Sequence, residues 1–213
     1  MIKYEIPNLP IDTNSPVDIM GVKNDNLSSV VYDNNIIGVL SVTNKGLVNI
    51  TKSPIREGVK LVNLEDDEYL VYSAPITQEE YDNKIIMLLA EDGNLAKFKL
   101  STVRLAGQGS GLINGMNNEK VVGAIISDNS GEIITYSDES IKLTSIVDIP
   151  TTGRGVKGSM LHKPMKEELL TGILLNRNKV ISDKDTNMRL PEVSGRAARG
   201  EKINSVRIKY VGN

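Results

Sequence analysis

The segment NIIGVLSVTNKGLVNI (35–50) is an apolar run, a polar turn and a second run of alternating character, and it returns three times: NKIIMLLAEDGNLAKFKL (83–100), SGEIITYSDESIKLTSI (130–146) and RNKVISDKDTNMRL (177–190). Gly46 and Gly93 hold the turn in the first two copies, Ser140 and Thr186 in the others, with spacings of 47, 47 and 46 residues. A fixed period of this size takes precedence over any element-by-element reading, because each copy is one unit that buries its apolar face only against its neighbours. A second half-unit follows each copy: REGVKLVNLEDDEYLVYS (56–73), GSGLINGMNNEKVVGAIIS (109–127), GVKGSMLHKPMKEELLTGILL (155–175) and ARGEKINSVRIKYV (198–211). A fifth, VDIMGVKNDNLSSVVY (17–32), stands at the front without a first half. Five second halves and four first halves suit a chain that enters one blade late and closes a ring by sharing strands.

Alternation in Leu47, Val48, Asn49, Ile50 and in Lys97, Phe98, Lys99, Leu100 predicts half-buried antiparallel strands. The connections NKG, EDG and NSG are short hairpin turns whose Asn, Asp and Gly tolerate positive φ. Only TQEEYDN (77–83) and KPMKEELLTG (163–172) have helical potential; neither carries a long apolar stripe, and the second falls where the repeat predicts a hairpin. The expected fold is all-β, a propeller-like disc of four to five four-stranded blades. Residues 1–16 form a lead-in and 17–213 a single domain, with repeats near 35–82, 83–129, 130–176 and 177–211 and a partial blade over 17–34.

Composition narrows the chemistry. The 213 residues are 39% hydrophobic and 24% charged, which suits a folded chain, but only 4% are aromatic, with no Trp and one Phe. The core is therefore built from Ile, Val, Leu and Met. Absence of Cys removes disulfides, thiolate zinc sites and cysteine nucleophiles, and the single histidine, His162, excludes a multi-histidine metal site. His162 reads as a loop residue. The N-terminus MIKYEIPNLPIDTNSP has no basic region followed by an apolar run, and no 18-residue apolar stretch occurs. The expected location is cytoplasmic, with no membrane partner.

The formal net charge of -2 conceals an asymmetry. Residues 1–150 hold 12 basic and 21 acidic side chains, and residues 151–213 hold 13 and 6, so the two parts carry -9 and +7. An anionic partner is expected on the last third. GQGSG (107–111) and GRGVKG (153–158) do not open a helix within a βαβ unit, which argues against nucleotide binding. EDDE (65–68) reads as a solvated turn rather than a metal cluster. No serine has an evident base partner.

The segments GRGVKG (153–158) and GRAARG (195–200), each following an Ile-Pro or Pro-Glu-Val strand end, resemble blade connections of the C-terminal β-pinwheel of type IIA topoisomerase A subunits, the family to which DNA gyrase and topoisomerase IV contribute. VTNKGLVNITKSPIREGVKLVNLEDDEYLV (42–71) is similar to a blade of that family, with its turn glycine, its basic residue after the strand and its acidic ending. The resemblance covers roughly 17–211. It implies a non-catalytic accessory domain without cofactor, which binds double-stranded DNA along a basic rim and captures or bends it for the cleavage core. The implied partners are that catalytic core and, through it, the ATPase subunit, with the whole assembly at the nucleoid. The basic Gln-Arg-Arg-Gly-Gly-Lys-Gly type box of gyrases is not reproduced, which points toward a topoisomerase IV-like or phage-type enzyme. The family's chemistry needs an Arg-Tyr pair and a magnesium-binding acidic domain, and none of Tyr4, Tyr32, Tyr69, Tyr72, Tyr81, Tyr136 and Tyr210 follows an arginine.

A glycine turn exposes backbone N–H groups to a phosphate while flanking Arg and Lys neutralise it, releasing counterions and making binding salt-sensitive. The candidates are Arg154 and Lys157 in one connection and Arg196, Arg199 and Lys202 in the next, with Arg104, Lys60 and Arg56 as weaker equivalents upstream. Because EGVKLVNLEDDEYL places acid where GRAARG places base, a duplex is expected on two or three adjacent blades, without a full wrap. The alternative is a propeller-type protein-interaction module that does not bind DNA.

Overall fold

The computed structural model describes residues 35–56, 58–118, 120–176, 180–182, 190–203 and 208–211. Its first sheet holds β1 (Ile36–Thr43), β2 (Leu47–Lys52) and β3 (Leu70–Thr77), followed by helix α1 (Gln78–Asn83). The second repeat contributes β4 (Ile85–Ala90), β5 (Asn94–Lys99), β6 (Leu105–Ala106), β7 (Ile113–Asn114) and β8 (Val121–Ser127). The third contributes β9 (Glu132–Tyr136), β10 (Ser140–Ser145), β11 (Ser159–Met160) and β12 (Gly172–Leu175), and β13 (Val180–Ser182), β14 (Glu201–Lys202) and β15 (Ile208–Val211) complete the described strands.

Each sheet borrows its last strand from the repeat that follows. The first runs β3-β1-β2 and is finished by β6 and β7, the second is β8-β4-β5-β11, and the third is β12-β9-β10-β14. β13 and β15 form a separate antiparallel pair. The exchange recurs in register: Val48 opposes Ile113, Leu95 opposes Ser159, and Ile141 opposes Glu201. The all-β, bladed architecture expected from the 47-residue period is the one observed.

The period is enforced at the hairpin glycines. Gly46 and Gly93 take φ of 75° and 82°, where a side chain is strained. The following repeat also crosses here. The Gly46 carbonyl accepts N–H bonds from Gly115 and Met116, both at 2.9 Å, and the Gly93 carbonyl accepts from Leu161 and His162 at 3.0 and 3.2 Å. A Cβ on Gly46 would lie 2.3 Å from the Met116 carbonyl oxygen, and one on Gly93 only 1.8 Å from that of His162. Glycine is required twice over, for the turn and for the crossing.

The central strands of the second sheet are buried on both faces rather than on one. All six residues of β4 are buried: Ile86, Leu88 and Ala90 join the core shared with Leu40, Val42, Val48 and Ile50 of the first sheet. Ile85, Met87 and Leu89 join the core shared with Ile133 and Ile173 of the third. The expected half-buried alternation is thus corrected for the second sheet, because it is packed between the first and the third. Phe98, the one phenylalanine, is 1% exposed in the first of these cores.

The TQEEYDN segment is the helix α1, closed by a capping box between Thr77 and Glu80. KPMKEELLTG is not helical: Lys166 and Glu167 make a turn, with Glu167 at φ 65°, and Gly172 already opens β12. Thr186 and the partial blade 17–34 lie outside the described residues.

Candidate nucleic-acid interface

Each blade connection has a residue with left-handed backbone, Gly58 at φ 72°, Gly109 at 70°, Gly155 at 76° and Ala197 at 57°, and the third has a second one, Gly158 at 86°. Three of them donate their N–H backwards along the chain, Gly109 to the Leu61 carbonyl at 3.1 Å, Gly155 to that of Gly115 at 2.8 Å and Ala197 to that of Leu161 at 3.0 Å. Parallel bridges Met116↔Val156 and His162↔Ala198 extend two of these contacts. The turns are therefore structural equivalents, each seated on the connection before it.

This equivalence orders the candidate residues. One position before the left-handed residue the chain reads Glu57, Gln108, Arg154 and Arg196, and two positions after it Lys60, Gly111, Lys157 and Arg199. The four strongest candidates occupy the same two places in consecutive turns. Positive charge rises along the series, from a cancelling pair, to a neutral turn, to two doubly basic ones. Arg56, Arg104 and Lys202 do not fall on these positions, and Lys202 sits on β14 opposite Ser140.

The basic side chains face solvent. Arg154, Lys157, Arg196, Arg199, Lys202, Arg104, Lys60 and Arg56 are all exposed. Arg154 spends one Nη1–H on the Asn114 carbonyl at 2.8 Å, one of five donors on its guanidinium. Lys157 lies 3.6 Å from Asp92 Oδ2, a loose pair. Arg196 and Arg199 make no hydrogen bond or ion pair among the described residues. Arg104 is tied by Nη2 to the Gly111 carbonyl at 2.7 Å.

In the neutral turn, Gln108 stands where Arg154 and Arg196 stand elsewhere. Its Oε1 accepts the Arg56 N–H at 2.8 Å, and its Nε2 donates to the carbonyls of Arg56 and Val59 at 3.0 and 3.2 Å. That side chain locks two turns together instead of facing outward. Nearby, Lys45 bridges Glu65 and Asp67, both at 2.6 Å, on an exposed acidic surface. Glu68 departs from the solvated-turn reading of EDDE: it is buried, and its Oε2 accepts the Glu65 N–H at 3.2 Å.

A polar cluster lies beneath the most basic turn, and sequence reading missed it. His162 lies in the connection between β11 and β12, as a loop residue should, and is fully buried there. Its Nδ1 lies 3.0 Å from Thr135 Oγ1, and its Nε2 lies 3.0 Å from Ser140 Oγ and 3.1 Å from the Gly200 amide nitrogen. Burial pushes its pKa down to about 4, against the attraction of Glu168. The Glu168 carboxylate accepts from the hydroxyls of Ser137 and Ser140 and from the Met165 N–H. Those bonds hold its pKa below the usual carboxylate range even though burial opposes them. Lys142 is 1% exposed, and burial lowers its pKa to about 8. Its Nζ donates to the carbonyls of Leu161, of Gly195 at 2.8 Å and of Ala198 at 3.2 Å.

Among the described residues no group of three or more His, Cys, Asp or Glu could hold a metal, and no helix is long and apolar enough to cross a membrane. Stretches 57–77, 84–128 and 138–174 match the family model described as DNA gyrase C-terminal domain, beta-propeller. No curated protein matches the chain. The fold is shared with solved structures. With the C-terminal domain of DNA topoisomerase IV the TM-score is 0.69 at 17% identity, over 82% of this chain and 60% of that one. With a DNA gyrase A C-terminal domain it is 0.61 at 20% identity, over 82% and 66%. With the E. coli ParC C-terminal domain it is 0.61 at 14% identity, over 82% of both chains. The chain thus spans less than two thirds of the first two.

Proposed function

We propose, from this kinship with the C-terminal β-propeller domains of DNA gyrase A and topoisomerase IV, that the chain is a non-catalytic duplex-DNA-binding domain. In this reading it captures or bends a DNA segment for the cleavage core of a type IIA topoisomerase, which with its ATPase subunit supplies the chemistry. Residues 17–213 act as one domain, working in the cytoplasm at the nucleoid. The observation that carries the reading is the recurrence of exposed cations at two equivalent turn positions, Arg154 with Lys157 and Arg196 with Arg199. Phosphate binding needs charge and N–H donors at a regular spacing and no sequence readout.

The gradient of charge sets the mode of binding. A duplex is held by the two doubly basic turns, with Lys202, Lys60, Arg56 and Arg104 contributing less, and it leaves the rim where Gln108 and the Glu65–Asp67 surface begin. Partial contact of this kind orients DNA without constraining writhe. Titrating duplex DNA at two salt concentrations tests it. The change of Arg154, Lys157, Arg196 and Arg199 to Ala lowers the salt slope by about one unit per lost phosphate contact. The same number of changes at Lys3, Lys23, Lys84 and Lys120 has a smaller effect. Equal losses from the two sets refute the assignment, and failure of the unaltered chain to bind DNA at low salt favours a protein-interaction role.

A further inference from the structure

Two lysines that look like outward-facing strand residues in the sequence are buried, and each reaches toward the approach to one doubly basic turn. Lys97 of β5 is 2% exposed, and its Nζ donates to the carbonyls of Ile146 and Ile149 at 2.8 and 2.7 Å. Its backbone pairs with Thr152, whose N–H meets the Lys97 carbonyl at 2.7 Å. The chain then enters GRGVKG directly. Lys142 of β10 reaches Leu161, on which the next turn sits, and Gly195 and Ala198 within GRAARG. Three ammonium hydrogens meet three carbonyls, which offsets the cost of burying the charge.

The first sheet lacks the device. By strand register, Ile50 of β2 corresponds to Lys97, and Asn49 to Lys142. The turn that follows is the neutral one, with Gln108 and Gly111. The two lysines are thus not equivalent positions: Lys142 alone meets carbonyls of a doubly basic turn, whereas Lys97 meets those of Ile146 and Ile149 ahead of GRGVKG. Drawing carbonyls inward onto a cation leaves the opposite side of the turn, with its side chains, facing solvent. It also holds Ala197 in a left-handed backbone that is strained for a non-glycine residue.

We propose that Lys142 is a positioning residue for phosphate binding, fixing the turn of the following blade so that Arg196 and Arg199 meet the duplex in register. This rests on the DNA-binding reading above, but the pinning itself is measurable without DNA. In the full chain, Lys142→Met should raise amide hydrogen exchange at Ala197 and Gly200 while leaving Gly155 protected, and Lys97→Met, whose ammonium reaches no carbonyl of that turn, should leave Ala197 and Gly200 protected.

With DNA, Lys142→Met should lower the salt slope by about two units, as Arg196→Ala with Arg199→Ala does, and adding all three changes should cost no more than either set. Full additivity, or exchange unchanged at the pinned turn, overturns the proposal. If the wild-type chain fails to bind DNA while the exchange pattern holds, the function is wrong and the pinning stands. Gly111→Lys leaves the core untouched and covers the case of a variant that does not fold, since no atom lies within 4 Å of a Cβ there. A lysine on that turn, which Gln108 and Arg104 fasten but no buried ammonium draws inward, should add less than about twofold to affinity, and a gain equal to what Arg199→Ala loses refutes positioning.

Discussion

His162 Nε2 lies 3.1 Å from the amide nitrogen of Gly200 and accepts its N–H, so the one histidine of the chain is an internal fastening for the turn that carries Arg196 and Arg199. The acceptance assigns the tautomer. With Nε2 unprotonated, Nδ1 holds the hydrogen and donates to Thr135 Oγ1 at 3.0 Å. Ser140, 3.0 Å from the same Nε2, gives its hydroxyl hydrogen to the Glu168 carboxylate. Every polar atom of the ring is thereby used in its neutral form.

Acid should loosen this fastening. The folded pKa of His162, about 4, lies below its ordinary 6.5, so the unfolded chain binds the proton first. Stability from the neutral ring is full above pH 6.5 and lost as pH falls toward 4, on the order of 3 kcal/mol at about 1.4 kcal/mol per unit. Glu168, also lowered, acts in the same direction at lower pH. Urea midpoints measured from pH 7 to 4 should fall, and His162→Gln should flatten the decline above pH 4.5. An equal slope in the variant contradicts the assignment.

Alkali should act oppositely through Lys142. Its folded pKa, about 8, lies below the ordinary 10.5, so burial of the charged amine opposes folding below pH 8 and is relieved as pH rises. Relative to Lys142→Met, the wild-type chain should gain stability between pH 8 and 9.5. Urea midpoints of both proteins report it, and parallel curves would count against a buried ammonium.

Two glycines with similar backbone angles should respond differently to alanine. Gly93 at φ 82° has the His162 carbonyl oxygen 1.8 Å from its would-be Cβ, whereas Gly131 at φ 79° has nothing within 4 Å. Gly131→Ala should cost about 1 kcal/mol of strain, and Gly93→Ala more than about 3 kcal/mol, because the next repeat must move away. Thermal denaturation of the two variants compares them directly.

Asp92 restrains one DNA-binding candidate. Its carboxylate accepts from Asn94 and Asn118 and lies 3.6 Å from Lys157 Nζ, on a side chain that is 68% exposed. Asp92→Asn keeps an acceptor and removes the charge. Duplex affinity at low salt should rise by about two- to threefold, consistent with an exposed pair worth less than about 1 kcal/mol. A fall in affinity would assign Asp92 a role in holding the turn instead.

The repeat, the bladed β-architecture and the identity of the basic turns were legible in the chain, because a 47-residue period, hairpin glycines at 46 and 93 and the pairs at 154/157 and 196/199 are linear features. Strand alternation was legible as well, but its meaning was not. Alternation tells which residues share a face, and only packing tells whether the other face meets water; here β4 and β5 are enclosed between neighbouring sheets. For the same reason the burial of Lys97 and Lys142 is invisible in the strands that carry them, since the carbonyls that close around them come from 19 to 56 residues away in sequence. His162 followed the same course, since its partners Thr135, Ser140 and Gly200 belong to strands and a turn that meet only through exchange between repeats. Local chemistry writes turns and strands into short segments, whereas burial of a charge depends on contacts the chain makes only once it has closed on itself.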